Sequence, residues 1–277
     1  MEKFSRPLEF DREFLLKWTI GVMRKHGIKP RKKLSQNFIV NPFLIEEILS
    51  YTDENSDVLE IGCGIGTLTV ALLRKARTVL CYEIDQRLCD VLSKFINDEN
   101  FILVNGDALK IPFNRRIVVS NIPYHITSDI LLKISRENVV EKAVLTLQKE
   151  IVDRITARPG SRSYGKLTVL LNNLFAIKEG GVYPPSSFYP KPEVYHQVVV
   201  LIRKKPYSKE IEKLEVVTKT FFSQRRRLVE KVLWDKFNKN VDSMGELGRK
   251  ISGKRVFMLD PETWLELTRI LHEQGVI

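Results

Sequence analysis

The chain predicts an α/β protein: a mostly parallel sheet with helices on both faces, followed by a small all-α C-terminal domain. Three observations carry this. From Asp57 to about Glu150, short and nearly continuous apolar runs alternate with amphipathic segments, the pattern of strands buried on both faces. A glycine-rich turn joins the first of these runs to the first amphipathic segment. From Ser208 onward strand patterns cease and helical apolar spacing takes over.

Taken in order, Phe10 to Lys25 is amphipathic and predicts an added helix within an N-terminal extension, residues 1–28. Asn41-Pro42 offers an N-cap and a proline in the first helical position, opening a helix that runs through Ser50. Val58–Ile61 is the first strand and Thr67–Leu73 the first helix of the alternating core. Thr78–Glu83 follows as a strand, then a helix with Leu88, Val91, Leu92 and Phe95 on one face. Phe101–Val104, Ile117–Val119 and Ala143–Leu147 are the next strands. Pro184-Pro185 and the Pro190/Pro192 pair stiffen a loop leading to a last strand, Val198–Ile202. The helical region shows Ile211, Leu214, Val217 and Phe221, then Leu228, Val232 and Trp234. Asp260-Pro261-Glu262 caps a final helix that Gly275 stops. The domain boundary is expected near residues 205–208, giving domains 29–206 and 207–277.

With 277 residues and 43% hydrophobic content, the chain is large enough for a full domain plus a smaller one. No apolar run reaches the ~18 residues a bilayer span needs. Met1 to Arg6 lacks the features of a secretory signal, so a cytoplasmic, non-membrane protein is expected. Cys63, Cys81 and Cys89 are irregularly spaced; they are expected to be reduced packing residues, with no metal site. The formal net charge is +11, concentrated at Lys29-Pro30-Arg31-Lys32-Lys33, Arg203-Lys204-Lys205, Arg225-Arg226-Arg227 and Arg249-Lys250, which points to a polyanionic partner.

Two constellations carry chemistry. Glu60-Ile61-Gly62-Cys63-Gly64-Ile65-Gly66 removes side chains where backbone must turn and meet a ligand, and Glu83 ends the following strand, where a carboxylate can accept from both ribose hydroxyls. The spacing is not that of a dinucleotide fingerprint. Asp107, after the third strand, can accept from an adenine amine. The set fits S-adenosylmethionine, a nucleoside without phosphate. Ser120-Asn121-Ile122-Pro123-Tyr124 ends the fourth strand. The Asn121 oxygen and the Ile122 carbonyl can both accept from one planar NH2 group, Pro123 fixes the backbone, and Tyr124 offers a ring for stacking.

In this order the motifs resemble the ribosomal RNA adenine dimethyltransferase family. Ser35-Gln36-Asn37-Phe38-Ile39, Gln148-Lys149-Glu150, Phe188-Tyr189-Pro190-Lys191-Pro192-Glu193-Val194 and Gln224-Arg225-Arg226-Arg227 extend the likeness from about Ile28 to the end. Tyr195-His196 depart from the Asp-Ser that often follows the proline-rich segment. The resemblance implies a Rossmann-like S-adenosylmethionine-dependent methyltransferase domain. It implies a cofactor site formed by Gln36, Asn37, Ile39, Gly62, Gly64, Glu83, Ile84, Asp107, Ala108 and Asn121. Asn121, Ile122, Pro123, Tyr124 and Phe188 would hold a flipped adenine, with Phe188 closing the face opposite Tyr124. Arg31, Lys32, Lys33 and the run Arg225 to Arg227, expected on a helix, would grip RNA phosphates. The implied activity is dimethylation of the N6 amine of two adjacent adenines in small-subunit rRNA within an assembling ribosomal subunit; separately from the resemblance, a monomer is expected. Two alternatives stand beside it: a resistance-type enzyme acting on large-subunit rRNA, or a non-catalytic nucleic-acid-binding factor on the same scaffold.

Overall fold

A computed structural model describes residues 11–277 of the protein; Met1 to Phe10, where the absence of a signal sequence and the start of the first helix were read, lie outside the described residues. The chain divides into two compact units, one taking residues up to 149 plus 178–202, the other 150–177 plus 203–277.

The first unit begins with α1 (Arg12–Lys25), capped by the Asp11 carboxylate accepting from the Phe14 amide at 2.8 Å. α1 is more than an appendage. Leu15 is fully buried in the main apolar cluster, Trp18 meets Phe95 edge to face at 5.9 Å, and the Arg12 guanidinium donates to the Ser186 carbonyl. Leu15→Ala is therefore expected to cost about 2–5 kcal/mol, read as a lower urea midpoint; an unchanged midpoint would make α1 dispensable to the core.

β1 (Phe38–Ile39) and α2 (Pro42–Ser50) precede the alternating core of β2 (Asp57–Ile61), α3 (Thr67–Leu72), β3 (Thr78–Glu83), α4 (Gln86–Phe95), β4 (Phe101–Asn105), β5 (Ile117–Asn121), α5 (Thr127–Arg136) and β6 (Lys142–Gln148). α6 (Lys149–Ile155) and α7 (Lys166–Leu174) come next, then β7 (Phe175–Tyr183), β8 (Phe188–Tyr189) and β9 (His196–Arg203). The main sheet has the order β4-β3-β2-β5-β6-β9-β7. β4, β3, β2, β5 and β6 pair in parallel, and β9 runs antiparallel to β6. β2, β3 and β5 are buried almost throughout, which is why Val58-Leu59, Val79-Leu80-Cys81 and Ile117-Val118-Val119 are apolar without alternation. Strand order reverses between β2 and β5, so their carboxyl ends open a crevice. β1 pairs antiparallel with β8, setting Ile39 opposite Phe188.

The second unit is helical: α6 and α7 with α8 (Lys209–Phe222), α9 (Val229–Phe237), α10 (Gly245–Ile251) and α11 (Pro261–Glu273). Phe221 and Trp264 are fully buried at its centre, their rings 5.1 Å apart and crossed. The Asn173 amide donates to the Pro261 carbonyl at 2.9 Å and ties α7 to α11. That packing draws residues 150–177 into the helical unit, whereas the sequence reading placed the whole of 29–206 in the sheet domain. Trp234, among the apolar residues that mark this region as helical, is 60% exposed. The Arg225 to Arg227 run lies in the turn between α8 and α9, not on a helix. Among the described residues, no helix is long and apolar enough to cross a membrane.

Candidate active site

The crevice at the β2/β5 switch point holds a cavity of about 200 Å³. Its wall brings together Gln36, Asn37, Gly62, Gly64, Glu83, Ile84, Asp107, Ala108, Asn121 and Pro123, drawn from segments up to 87 positions apart in the chain, as the Asn37–Tyr124 contact beside it illustrates. Ile39 lines a smaller adjoining recess with Glu60, Gly62 and Asn121.

The glycine loop is shaped by backbone that L side chains rarely adopt. Gly62 and Gly64 have φ of 74° and 60°, and a Cβ on Gly64 would sit 2.9 Å from the Phe38 ring. The turn aims the Gly64 amide at the Glu83 carboxylate, 2.9 Å away, and the Asp85 amide donates to the other Glu83 oxygen at 2.9 Å. Burial pushes the Glu83 carboxyl up, and the amides of Asp85 and Gly64 oppose that shift. Each oxygen keeps a further lone pair for a ligand donor. Asp107 uses one oxygen to cap the following turn, accepting from the Leu109 amide at 2.9 Å. Such an acceptor set, on a cavity wall lined by no Lys or Arg among the described residues, fits the donors of adenosine. In the recess, buried Glu60 leaves Oε2 without a partner. Burial pushes its carboxyl up to about 8, with the Thr69 hydroxyl acting in the opposite direction.

Asn121 ends β5, and its position is secured by Ser120, whose hydroxyl donates to the Ile61 carbonyl of β2 at 2.7 Å. The Asn121 amide nitrogen donates to the Asn37 carbonyl at 2.9 Å, which orients the side chain and leaves Oδ1 as an acceptor. Asn37 in turn donates through Nδ2 to the Tyr124 hydroxyl at 2.9 Å. Ile122 is buried and its amide bonds the Thr146 carbonyl, while Pro123 sits at φ −61° and ψ 134°, fixing the turn. Tyr124 is half-buried, and burial pushes its phenol up.

Phe188 does not take the place expected of it. It is 1% exposed, belongs to the main apolar cluster and offers no free face. His196 touches both rings, 5.3 Å from Tyr124 and 4.5 Å from Phe188, centroid to centroid. Gln36 also differs from expectation in emphasis. Besides lining the cavity, it accepts from the Arg31 amide at 2.8 Å and donates to Asp85 at 2.9 Å. Asp85 went unread in the sequence. Its carboxylate also receives Arg87 at 2.5 Å and lies 3.6 Å from the Arg31 guanidinium; the Arg87 hydrogen bonds hold it down to about 2. An acid two residues after Glu83, followed by Arg87, was the available signal. Lys32 and Lys33 are exposed on a short turn beside the cavity, while Arg31 is partly tied to Asp85.

The cysteines require a correction. Cys63 and Cys81 are joined as a disulfide with Cα atoms 6.2 Å apart, and Cys89 alone is free and buried. The register that sets Cys81 beside Glu60 brings the two sulfurs together, although 18 positions separate them.

In the helical unit, Arg225 is not a free phosphate ligand. Its guanidinium donates to the carbonyls of Ser161, Arg162 and Tyr164 and lies 4.7 Å over the Phe257 ring. Arg227 is paired with Asp235 at 2.5 Å. Arg226 is the exposed member of the run.

Comparison with known proteins identifies the family. A family model described as ribosomal RNA adenine dimethylase matches residues 27–271. The chain is 36% identical over 268 residues to a probable ribosomal RNA small subunit methyltransferase A of Pyrococcus furiosus, covering 92% of this chain and 97% of that one. Among solved structures it is similar to a dimethyladenosine transferase from Plasmodium falciparum, with a TM-score of 0.74, 25% identity and coverage of 86% and 98%. A 23S rRNA methyltransferase, ErmE, follows with a TM-score of 0.67, 27% identity and coverage of 85% and 99%. With the model match spanning nearly the whole chain and the methyltransferase crevice in place, the chain belongs to the ribosomal RNA adenine dimethylase family.

Proposed function

We propose that the protein transfers methyl groups from S-adenosylmethionine to the N6 amines of two adjacent adenines in a small-subunit rRNA hairpin, acting as a cytoplasmic monomer during subunit assembly. The observation that carries this is the pinned Asn121 amide, whose nitrogen is committed to the Asn37 carbonyl so that Oδ1 stays available beside the cavity. Support for the small subunit comes from the Pyrococcus furiosus relative, whose name specifies that subunit.

S-adenosylmethionine supplies an electrophilic methyl on a sulfonium. Glu83 would accept from the ribose, Asp107 from the adenine amine, and the Gly62 and Gly64 backbone would let the nucleoside approach closely. The target N6 amine is a poor nucleophile because its lone pair is delocalised into the ring. Accepting its hydrogens at Asn121 Oδ1 and the Ile122 carbonyl favours a pyramidal nitrogen with its lone pair directed at the methyl. The N–C bond forms as the S–C bond breaks, the sulfur keeps the electron pair, and the acidic methylated amine releases its proton to water. Tyr124 would replace part of the base stacking lost when the adenine leaves its strand.

The helical domain would hold RNA through Arg226 while Arg225 supports the fold. Arg226→Ala is expected to reduce the slope of log affinity against log salt by about 1 without lowering the melting temperature. Arg225→Ala is expected to lower the melting temperature, since it strands three carbonyls. The reverse pattern would exchange their roles.

The direct test supplies labelled S-adenosylmethionine with small and large ribosomal subunits lacking the marks, then maps the label. Dimethylation of neighbouring small-subunit adenines is expected. Label in large-subunit RNA would assign the protein to the resistance-type substrate, and tight RNA binding without label would make it a non-catalytic factor.

A further inference from the structure

His196 opens β9, paired with Gln148 at the carboxyl end of β6, and so shares the sheet edge on which Asn121 lies opposite Thr146. It is 1% exposed, and neither ring nitrogen has a hydrogen-bond partner. The Val194 carbonyl comes near enough to favour the charged ring slightly, but it falls short of hydrogen-bond geometry. Burial dominates and pushes the imidazole down to about 4, so it is neutral at physiological pH. A neutral imidazole carries one N–H donor and one acceptor. Leaving both dry costs stability, and an apolar ring would fill the same space without that cost. A polar ring retained here calls for a partner that arrives later.

The surroundings restrict that partner to a planar ring. The Tyr124 ring lies 5.3 Å and the Phe188 ring 4.5 Å from His196, and Asn121 and Ile122 are at the same sheet edge. Tyr124 is the half-buried wall, and the hydrogen bond from Asn37 Nδ2 holds its hydroxyl. Next to its N6 amine, adenine presents ring nitrogens that only accept. An imidazole N–H is the complementary donor.

The geometry points to His196 as a positioning residue for the target adenine, donating a hydrogen bond to a ring nitrogen beside C6 while Asn121 and Ile122 receive the N6 hydrogens. This rests on the proposed adenine methyl transfer and adds a specificity contact to it. His196 then selects a base with an acceptor beside the amine, and Phe188 acts through His196 as its buttress.

The test compares wild type, His196→Phe and His196→Gln on unmethylated small subunits, recording kcat, KM, S-adenosylmethionine affinity and melting temperature. His196→Phe keeps the ring contacts and loses the nitrogens. Its kcat is expected to fall about tenfold or more, with cofactor affinity unchanged and the melting temperature equal to or above that of the wild type. His196→Gln restores a donor and is expected to recover part of the loss. Wild-type kcat in His196→Phe would overturn the assignment. So would equal losses in both variants that follow a lowered melting temperature, which would make the ring a packing element. An inactive wild type would instead remove the methyl-transfer reading itself.

Discussion

Replacing Asn121 with Ala is expected to lower methyl transfer by about 10²- to 10³-fold, with S-adenosylmethionine affinity staying within about threefold. Ala removes the acceptor for the target amine and the tie to the Asn37 carbonyl together. Both losses act when the amine must be pyramidal and aligned, so kcat should carry the effect. Asn121→Asp separates the two contributions. A carboxylate keeps an acceptor but presents an oxygen to the Asn37 carbonyl in place of an N–H, so the side chain is repelled from its pinned rotamer. Asn121→Asp is therefore expected to be nearly as slow as Ala. Single-turnover rates with saturating cofactor measure both variants. If Asp were to keep wild-type rates, orientation by Asn37 would be irrelevant and the acceptor alone would suffice.

The sequence made the sheet legible where physics acts locally. Strands buried on both faces must be apolar without alternation, so β2, β3 and β5 stand out as runs, and a parallel βα turn that meets a nucleoside needs glycine at Gly62 and Gly64. Asn121 and Tyr124 were legible for the same reason, since proline fixes the turn that carries them. What escaped the sequence depends on contacts between distant segments. Phe188 looked like a loop aromatic, yet pairing of β1 with β8 turns it into the core. His196 sits at an inward position only because β9 pairs with β6 in this register. Cys63 and Cys81 meet through strand register, which their spacing hides. Arg225 reads as surface charge, while its fan of bonds to the carbonyls of Ser161, Arg162 and Tyr164 exists only after residues 150–177 pack with the C-terminal helices.

Glu83→Gln is expected to weaken S-adenosylmethionine binding by about 10- to 100-fold, the scale of losing a hydrogen bond to a charged group and stranding a donor. The two Glu83 oxygens already receive the amides of Gly64 and Asp85, so a Gln must turn its NH2 toward one of them. Either orientation damages the site. Facing Gly64, the amide repels the glycine loop; facing Asp85, it disturbs the carboxylate that gathers Gln36, Arg31 and Arg87. The ribose hydroxyls then lose a charged acceptor, and kcat at saturating cofactor should change much less than affinity. Calorimetric titration of both proteins reads the effect. The pH dependence supplies a second reading, because burial raises the Glu83 carboxyl above its ordinary value. Protonation sets in earlier as pH falls and removes acceptor capacity. Wild-type affinity should therefore decline on acidification at higher pH than an exposed carboxylate would titrate. In Glu83→Gln, which has no proton to gain there, that component of the decline should be missing. A Gln variant with wild-type affinity and the wild-type acid limb would assign the ribose to another acceptor and leave Glu83 as the brace of the glycine loop.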